Sequence, residues 1–306
     1  MEFDRIALQS GERLDRYLAE ELEVSRNSIL KALEAEQIFV NEQIEKPSYR
    51  VREGDRIRGA LLEREILLEP EEIPLDILYE DDQVLVINKP SGLVVHPSDA
   101  TPNGTLVNAL LNYGTTLSTL NTQQRPGIVH RLDKDTTGAL VIAKDNSTHW
   151  NLAEQFSNRQ VKKLYLALVH GRPKESEGLI ETLIGRNPKD RKTMAVVKRG
   201  GKPAITKYEV LGTTGEYSLI RLDLLTGRTH QIRVHLRYLG CPILGDPIYG
   251  RKREKIQIPH LLLHAQILEF SHPKTGERVS FQAELDAGFT QVLERLGMDS
   301  LQRKGT

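Results

Sequence analysis

Two segments of this chain concentrate the side chains able to do acid–base, nucleophilic or anion-binding work. The first is RPGIVHRLDKDTTGALVIAK, residues 125–144, where His130, Arg131, Asp133, Lys134, Asp135 and Thr136 crowd together. A continuous apolar run over 140–143 follows at once, as in a buried strand, which would place the polar cluster on a rigid support. A carboxylate held there can act as a base or a nucleophile. An ordinary surface turn laced with ion pairs has the same composition, and this segment alone does not choose between them.

The second segment is LTGRTHQIRVHLRYLGCPILG, residues 225–245. Thr229 is suited to cap a helix running to about Leu239, with Ile232, Leu236 and Leu239 facing the core and Gly240 ending it. Arg228 and Arg233 would then lie near unpaired N–H groups at the helix start, an arrangement that suits phosphate or carboxylate. His230 and His235 lack the i,i+4 spacing of a zinc helix, and no cysteine or carboxylate stands beside them. A third element, Lys162-Lys163-Leu164-Tyr165, enters an apolar strand, where a tyrosine packs as readily as it reacts.

The elements that must position these groups follow from length and patterning. At 306 residues, two folded units are expected. A hydrophobic content of 39% with 27% charged residues fits a globular protein with a substantial core. No apolar run is long enough to span a bilayer, and MEFDRIALQSGERLD lacks a signal-peptide core, so a cytoplasmic location is expected. Cys241 is the sole cysteine, which excludes an internal disulfide and a cysteine-rich zinc site. The 42 basic and 42 acidic residues cancel, but unevenly: residues 63–82 are acidic, while 186–202 (RNPKDRKTMAVVKRGGK) and 251–255 (RKREK) are basic.

The first unit reads as two helices followed by short strands. Leu14, Tyr17, Leu18 and Leu22 share one helical face, and Ser25 is an N-cap for a second helix carrying Ile29, Leu30 and Leu33. Strands are predicted at 38–40, 49–51 and 56–58. The acidic, proline-containing stretch 63–74 reads as a linker. Beyond it, strands are predicted at 76–79, 84–88, 165–169, 207–211, 218–224 and 279–283, with helices at 105–113 and 146–156. This mix predicts an α+β fold with a mixed, mainly antiparallel sheet.

These residues also carry two resemblances. RLDRYL, SRNSILKAL and IFVNEQIEKPSYRVREGDRI resemble the small RNA-binding domain shared by a ribosomal small-subunit protein and many RNA-modifying enzymes. That likeness implies RNA contacts at Arg13, Ser25, Arg26 and Lys46. HRLDKDTTG, KLY and LLTGRTHQIRVH, with NKPSGLVVHPS, ILGDPIYG and LLLHA, resemble the RluA-type pseudouridine synthases over about residues 74–285. The resemblance implies that Asp133 is the catalytic carboxylate, that Tyr165 lies in the active site, and that Arg233 pairs with Asp133 and favours its charged form. It further implies substrate contacts at His130, Arg131, Leu132, Thr136, Gly138, Arg228, His230 and Gln231. Arg191, Lys192 and Lys198 of the basic run become RNA contacts.

The implied reaction breaks a C–N glycosidic bond, turns the uracil and joins its carbon 5 to the ribose, which requires no cofactor and no metal. The base must be flipped out of its stack. The expected partner is RNA, ribosomal RNA of the large subunit first and transfer RNA second, acted on by a monomer. The expected domains are 1–70 for RNA binding, 74–290 for catalysis, and a disordered tail within 291–306. A noncatalytic RNA-binding assembly factor would be expected to lack Asp133, Tyr165 or Arg233, and all three are present. A hydrolase would need a nucleophile elbow or paired acids that the sequence does not contain.

Overall fold

A computed structural model describes residues 1–24, 26–61, 68–98, 101–120, 125–190, 192–251 and 253–303. The chain divides into two units, Met1–Leu67 and Leu68–Thr306. In the first unit the strands are β1 (Glu2–Ile6), β2 (Ile38–Val40), β3 (Gln43–Ile44) and β4 (Arg56–Ala60), and the helices are α1 (Leu14–Glu21) and α2 (Arg26–Glu34). The strands pair antiparallel in the order β1-β4-β2-β3. Leu14, Leu18, Ile29, Ile38 and Ile57 are its fully buried centre. The strand predicted at 49–51 is instead a turn with a single bridge from Arg13 to Arg50. Pro47 opens that turn, and the Tyr49 N–H donates to the Lys46 carbonyl at 2.8 Å.

The second unit is built on a ten-stranded sheet. In chain order its elements are β5 (Ile77–Glu80), β6 (Val84–Lys89), α3 (Leu106–Tyr113), β7 (Thr137–Ala143), α4 (Asn146–Ser157), β8 (Lys162–His170) and β9 (Glu177–Arg186). There follow β10 (Met194–Val196), β11 (Lys202–Thr214), β12 (Tyr217–Leu224), α5 (Gln231–Tyr238), β13 (Leu263–Ser271), β14 (Arg278–Gln282) and α6 (Ala287–Arg295). The order is β10-β9-β11-β12-β8-β13-β7-β6-β5, with β14 added on β13. The β7–β13 pair is parallel, and the other described pairs are antiparallel.

Both faces of β6 and β7 are covered, which is why these strands read as unbroken apolar runs rather than alternations. Leu85, Ile87, Leu140 and Ile142 face one cluster with Leu106 and Leu110 of α3, Tyr165 of β8, and Ile232 and Leu236 of α5. Val84, Val86, Val141 and Ala143 face the other, with Leu152 of α4 and Phe270 of β13.

Two expectations are corrected here. The described part of the predicted linker, from residue 68 onward, is docked on the second unit: Leu68, Ile73 and Leu75 pack against its core. The Asn108 side-chain amide donates to the Glu69 carbonyl at 2.8 Å, and the Gly104 N–H donates to Glu71 at 2.8 Å. Residues 63–67 of that stretch lie outside the described residues. The described part of the tail, to residue 303, is packed on this unit as well. Asp286 caps α6 by accepting from the Phe289 N–H, and Phe289, Leu293 and Met298 are buried against Leu168, Leu219, Leu244 and Leu262. Residues 304–306 lie outside the described residues. Among the described residues, no helix is long and apolar enough to cross a membrane.

Candidate active site

Loop 130–136 enters β7 where the sheet forks. β7 pairs with β13 only at Thr137–His264 and Gly138–Ala265, after which β14 takes over that edge of β13. Gly138 allows the close approach. Its φ is +113°, and a Cβ there would lie 2.2 Å from the Ala265 carbonyl oxygen. Lys89, at the end of β6, pins the same loop from beneath. Its fully buried ammonium donates to the carbonyls of Pro90 at 2.7 Å, Leu93 at 2.9 Å and Lys134 at 2.9 Å. Burial pulls its pKa down to about 7, with Asp135 and Asp133 opposing the shift.

The other wall comes from α5. Its N-cap is His230, not Thr229, in a left-handed conformation with φ 55° and ψ 22°. Gln231 holds this entry together: its Oε1 accepts from Thr226 Oγ1 and the Arg228 N–H, while its amide donates to the Ile205 carbonyl and Thr206 Oγ1. The His230 ring is anchored through Nδ1 to Tyr249 Oη at 2.9 Å, and burial lowers its pKa. Gly240, with φ 78°, ends the helix as expected.

Arg233 projects from α5 between two carboxylates. It donates from Nε and Nη2 to Asp246 at 2.7 and 2.8 Å, and from Nη1 to Asp133 Oδ2 at 3.3 Å. Asp246 is itself held by the N–H groups of Ile248 and Tyr249, both at 2.9 Å. Burial opposes both charges of the Arg233–Asp246 pair, and their mutual contact overrides it, raising the arginine and lowering the carboxyl. Burial, reinforced by Asp133, pushes the Tyr165 phenol well above its usual range, so it is a neutral phenol at physiological pH.

These walls line an open cavity of about 120 Å³, smaller than the roughly 300–1,000 Å³ of drug-sized ligand clefts. Arg131, Leu132, Asp133, Thr136, Tyr165, Arg228, His230, Gln231 and Arg233 all line it. His130 and Gly138, expected as substrate contacts, do not. His130 lies on the opposite face of the sheet, where Nε2 accepts from the Val141 N–H at 3.0 Å and the ring stacks on Phe156 at 4.5 Å. Burial and then Lys163 pull its pKa to about 3, so it stays neutral. Both residues build the loop rather than face the cavity.

The remaining expected contacts are distributed elsewhere. Arg13 and Arg26 both pair with Asp15, whose side chain is fully buried and whose pKa falls to about 2, chiefly through Arg13. Lys46 is exposed in the same unit, and Ser25 lies outside the described residues. Lys192 and Lys198 are exposed on the β9–β11 side of the large sheet, while Arg191 lies outside the described residues. Among the described residues no cluster of three or more histidine, cysteine or acidic side chains could hold a metal ion.

Residues 83–238 match the family model described as RNA pseudouridylate synthase, and residues 12–57 match the S4 domain. The chain belongs to the RNA pseudouridine synthases of the RluA type, with an N-terminal S4 domain. An uncharacterized RNA pseudouridine synthase of Bacillus subtilis is 44% identical over 292 residues, covering 94% of this chain and 95% of the relative. Ribosomal large subunit pseudouridine synthase D of Nitrosomonas europaea is 42% identical over 307 residues, covering 96% and 88%. The solved structure of human RNA pseudouridylate synthase domain containing 4 superimposes with a TM-score of 0.57 at 31% identity, over 72% of this chain and 93% of that one.

In this synthase, sequence reading missed Asp246 as a site residue. Its only signal was its place in ILGDPIYG, a run without an evident chemical partner until the fold sets it against Arg233.

Proposed function

We propose that this synthase isomerises uridine in large-subunit ribosomal RNA, with Asp133 as the reacting carboxylate. One observation carries the assignment. Arg233 engages only Oδ2 of Asp133, and among the described residues Oδ1 accepts no hydrogen bond while the side chain faces the cavity. Asp135 does not line that cavity. A carboxylate oxygen left open beside a fixed guanidinium can attack the anomeric carbon or take the ribose 2′ proton. The C1′–N1 bond breaks, the ring turns, C5 bonds to C1′, the C5 proton leaves and N1 gains a proton, so the reaction is atom-balanced without a co-reactant.

Tyr165, held as a neutral phenol, serves as a stacking platform for the uracil rather than as a base. Arg131, Arg228 and His230 offer donors at the cavity wall, and Lys192 and Lys198 add basic surface for the RNA backbone. The S4 unit, with Arg13, Arg26 and Lys46, is the second RNA anchor. The names of relatives such as the Nitrosomonas europaea enzyme favour large-subunit ribosomal RNA as the target.

The test is pseudouridine mapping by carbodiimide-blocked primer extension on RNA from cells with and without the gene. Large-subunit stops should vanish on deletion and return with the wild type but not with Asp133→Asn. Stops lost only from transfer RNA would redirect the substrate assignment. Restoration by Asp133→Asn would overturn the role of the carboxylate.

A further inference from the structure

His230 holds a left-handed backbone beside the candidate active site. Its φ of 55° and ψ of 22° are unfavourable for a residue with a Cβ and persist where surrounding contacts impose them. The contacts come from Tyr249. The two rings pack edge to face, 75° apart with centroids at 5.6 Å, and His230 Nδ1 lies 2.9 Å from Tyr249 Oη. Tyr249 is itself fixed. Its Oη accepts from the Met194 N–H of β10 at 2.9 Å, its N–H donates to Asp246, and its carbonyl accepts from Arg237 at 2.6 Å. The Arg233 guanidinium lies over its ring, 5.1 Å from the centroid. One buried side chain thus touches both the arginine that holds Asp133 and the histidine that lines the same cavity.

These contacts decide which nitrogen of His230 carries the proton. Met194 uses the phenol as an acceptor, so the phenol's single hydrogen must go elsewhere. Among the described residues the acceptor it meets is His230 Nδ1. Were Nδ1 protonated, the buried hydroxyl would have no acceptor among them. Burial outweighs the pull of Asp133 and keeps the ring neutral, so its one proton sits on Nε2. Nε2 makes no hydrogen bond among the described residues, while the ring lines the cavity with Asp133 and Tyr165. A neutral N–H donor is therefore left for the substrate.

The reaction has a use for such a donor. When the C1′–N1 bond breaks, its electron pair stays on the uracil, and the charge spreads over N1, the two carbonyl oxygens and C5. A hydrogen bond to one of those oxygens strengthens as the charge develops, so it stabilises the transition state more than the bound substrate. We propose that the His230 Nε2–H donates to a carbonyl oxygen of the departing uracil, with Tyr249 as the positioning residue that fixes its tautomer and ring plane. The inference rests on the reading that the target uridine occupies this cavity beside Asp133.

The direct test is nitrogen NMR of the full-length protein labelled at histidine, without RNA, with His230 assigned through the signal lost in His230→Gln. Nε2 should carry the proton in the wild type. In Tyr249→Phe, which keeps the ring but not the hydroxyl, the Nδ1–H form should appear. A wild-type ring protonated at Nδ1 would overturn the inference. Single-turnover pseudouridine formation on RNA from cells lacking the gene gives the second readout. Asparagine tolerates the left-handed backbone and can accept from Tyr249 at the Nδ1 position, but it puts nothing at the Nε2 position. Glutamine carries an amide N–H near the Nε2 position. His230→Asn should therefore lose about a hundredfold in rate at saturating enzyme, with the half-saturating concentration within about threefold of wild type. His230→Gln should recover to within about tenfold, and Tyr249→Phe should lose about three- to tenfold. A wild-type rate in His230→Asn would make the side chain a structural anchor and overturn the inference. Asp133→Asn is run beside them. If it turns over normally, the reading of the cavity falls and takes this inference with it, whereas an inactive Asp133→Asn beside a fully active His230→Asn refutes this inference alone.

Discussion

Replacing Asp246 by Asn tests whether the Arg233–Asp133 contact works because a second carboxylate holds the arginine. Asn has the same shape and keeps an oxygen for the Ile248 and Tyr249 N–H groups, but it loses the charge and turns an NH₂ toward one of the two guanidinium donors. Both partners are almost wholly buried, with side chains 5% and 0% exposed. Breaking such a pair costs about 3–5 kcal/mol, and the lower end applies because Asp133 still partners Arg233. For a unit of this size that is a fall in Tm of roughly 6–12 °C.

The kinetic consequence is separate. Without Asp246, the guanidinium can turn to grip both oxygens of Asp133, including the Oδ1 that is now unbonded. Freeing that oxygen would cost one charge-assisted hydrogen bond, about 1.5–3 kcal/mol, hence a ten- to hundredfold loss of kcat. Single-turnover pseudouridine formation at saturating enzyme, alongside RNA binding and thermal melting, reads both effects. A kcat within threefold of wild type in a protein that melts within about 2 °C of it would refute the reasoning.

Other consequences of the geometry can be checked as directly. Tyr165→Phe keeps the ring and removes a hydroxyl held as a neutral phenol, so turnover should fall by less than about tenfold; a loss above a hundredfold would make the hydroxyl a proton carrier after all. Lys89→Met removes the donor shared by three carbonyls and frees the loop just after Asp133, so kcat and stability should fall together, by about 2–4 kcal/mol in unfolding free energy measured with urea. His260 pairs with Asp286 at the start of α6, and this contact raises the histidine's pKa. A raised histidine contributes stability below its unfolded value of about 6.5 that is lost as pH climbs through its folded value. The partner, Asp286, has its carboxyl lowered, so its share is lost on acidification instead. Thermal melts should therefore drop modestly between neutral and alkaline pH, and His260→Gln should flatten that limb; an identical pH dependence in the variant would count against the pair.

Much of this protein could be read before any fold was known. The apolar run after Asp133 is β7, the strand at Tyr165 is β8, and the Gly240 stop is where α5 ends, because period and turn chemistry are local properties. Asp133, Tyr165 and Arg233 were named from motifs, and they line one cavity. What could not be read was direction. His130 and Asp133 are three residues apart, yet one ring stacks on Phe156 behind the sheet while the other side chain faces the cavity. Gly138 looks like part of a reactive loop but is glycine because Ala265 comes within 2.2 Å of where its Cβ would be.

Long-range partners were equally hidden. The sequence alone determined which local elements could form and which residue types could carry the chemistry, since both depend on neighbours in the chain. The tertiary structure decided that Asp246 meets Arg233, that Lys89 ties down the loop just after Asp133, and that Met298 is buried rather than trailing in solvent. Each of those contacts joins residues separated along the chain, and only burial makes a charge seek its partner there. A solvated lysine or aspartate has water for company; a buried one must find carbonyls or a guanidinium, and the fold determines which.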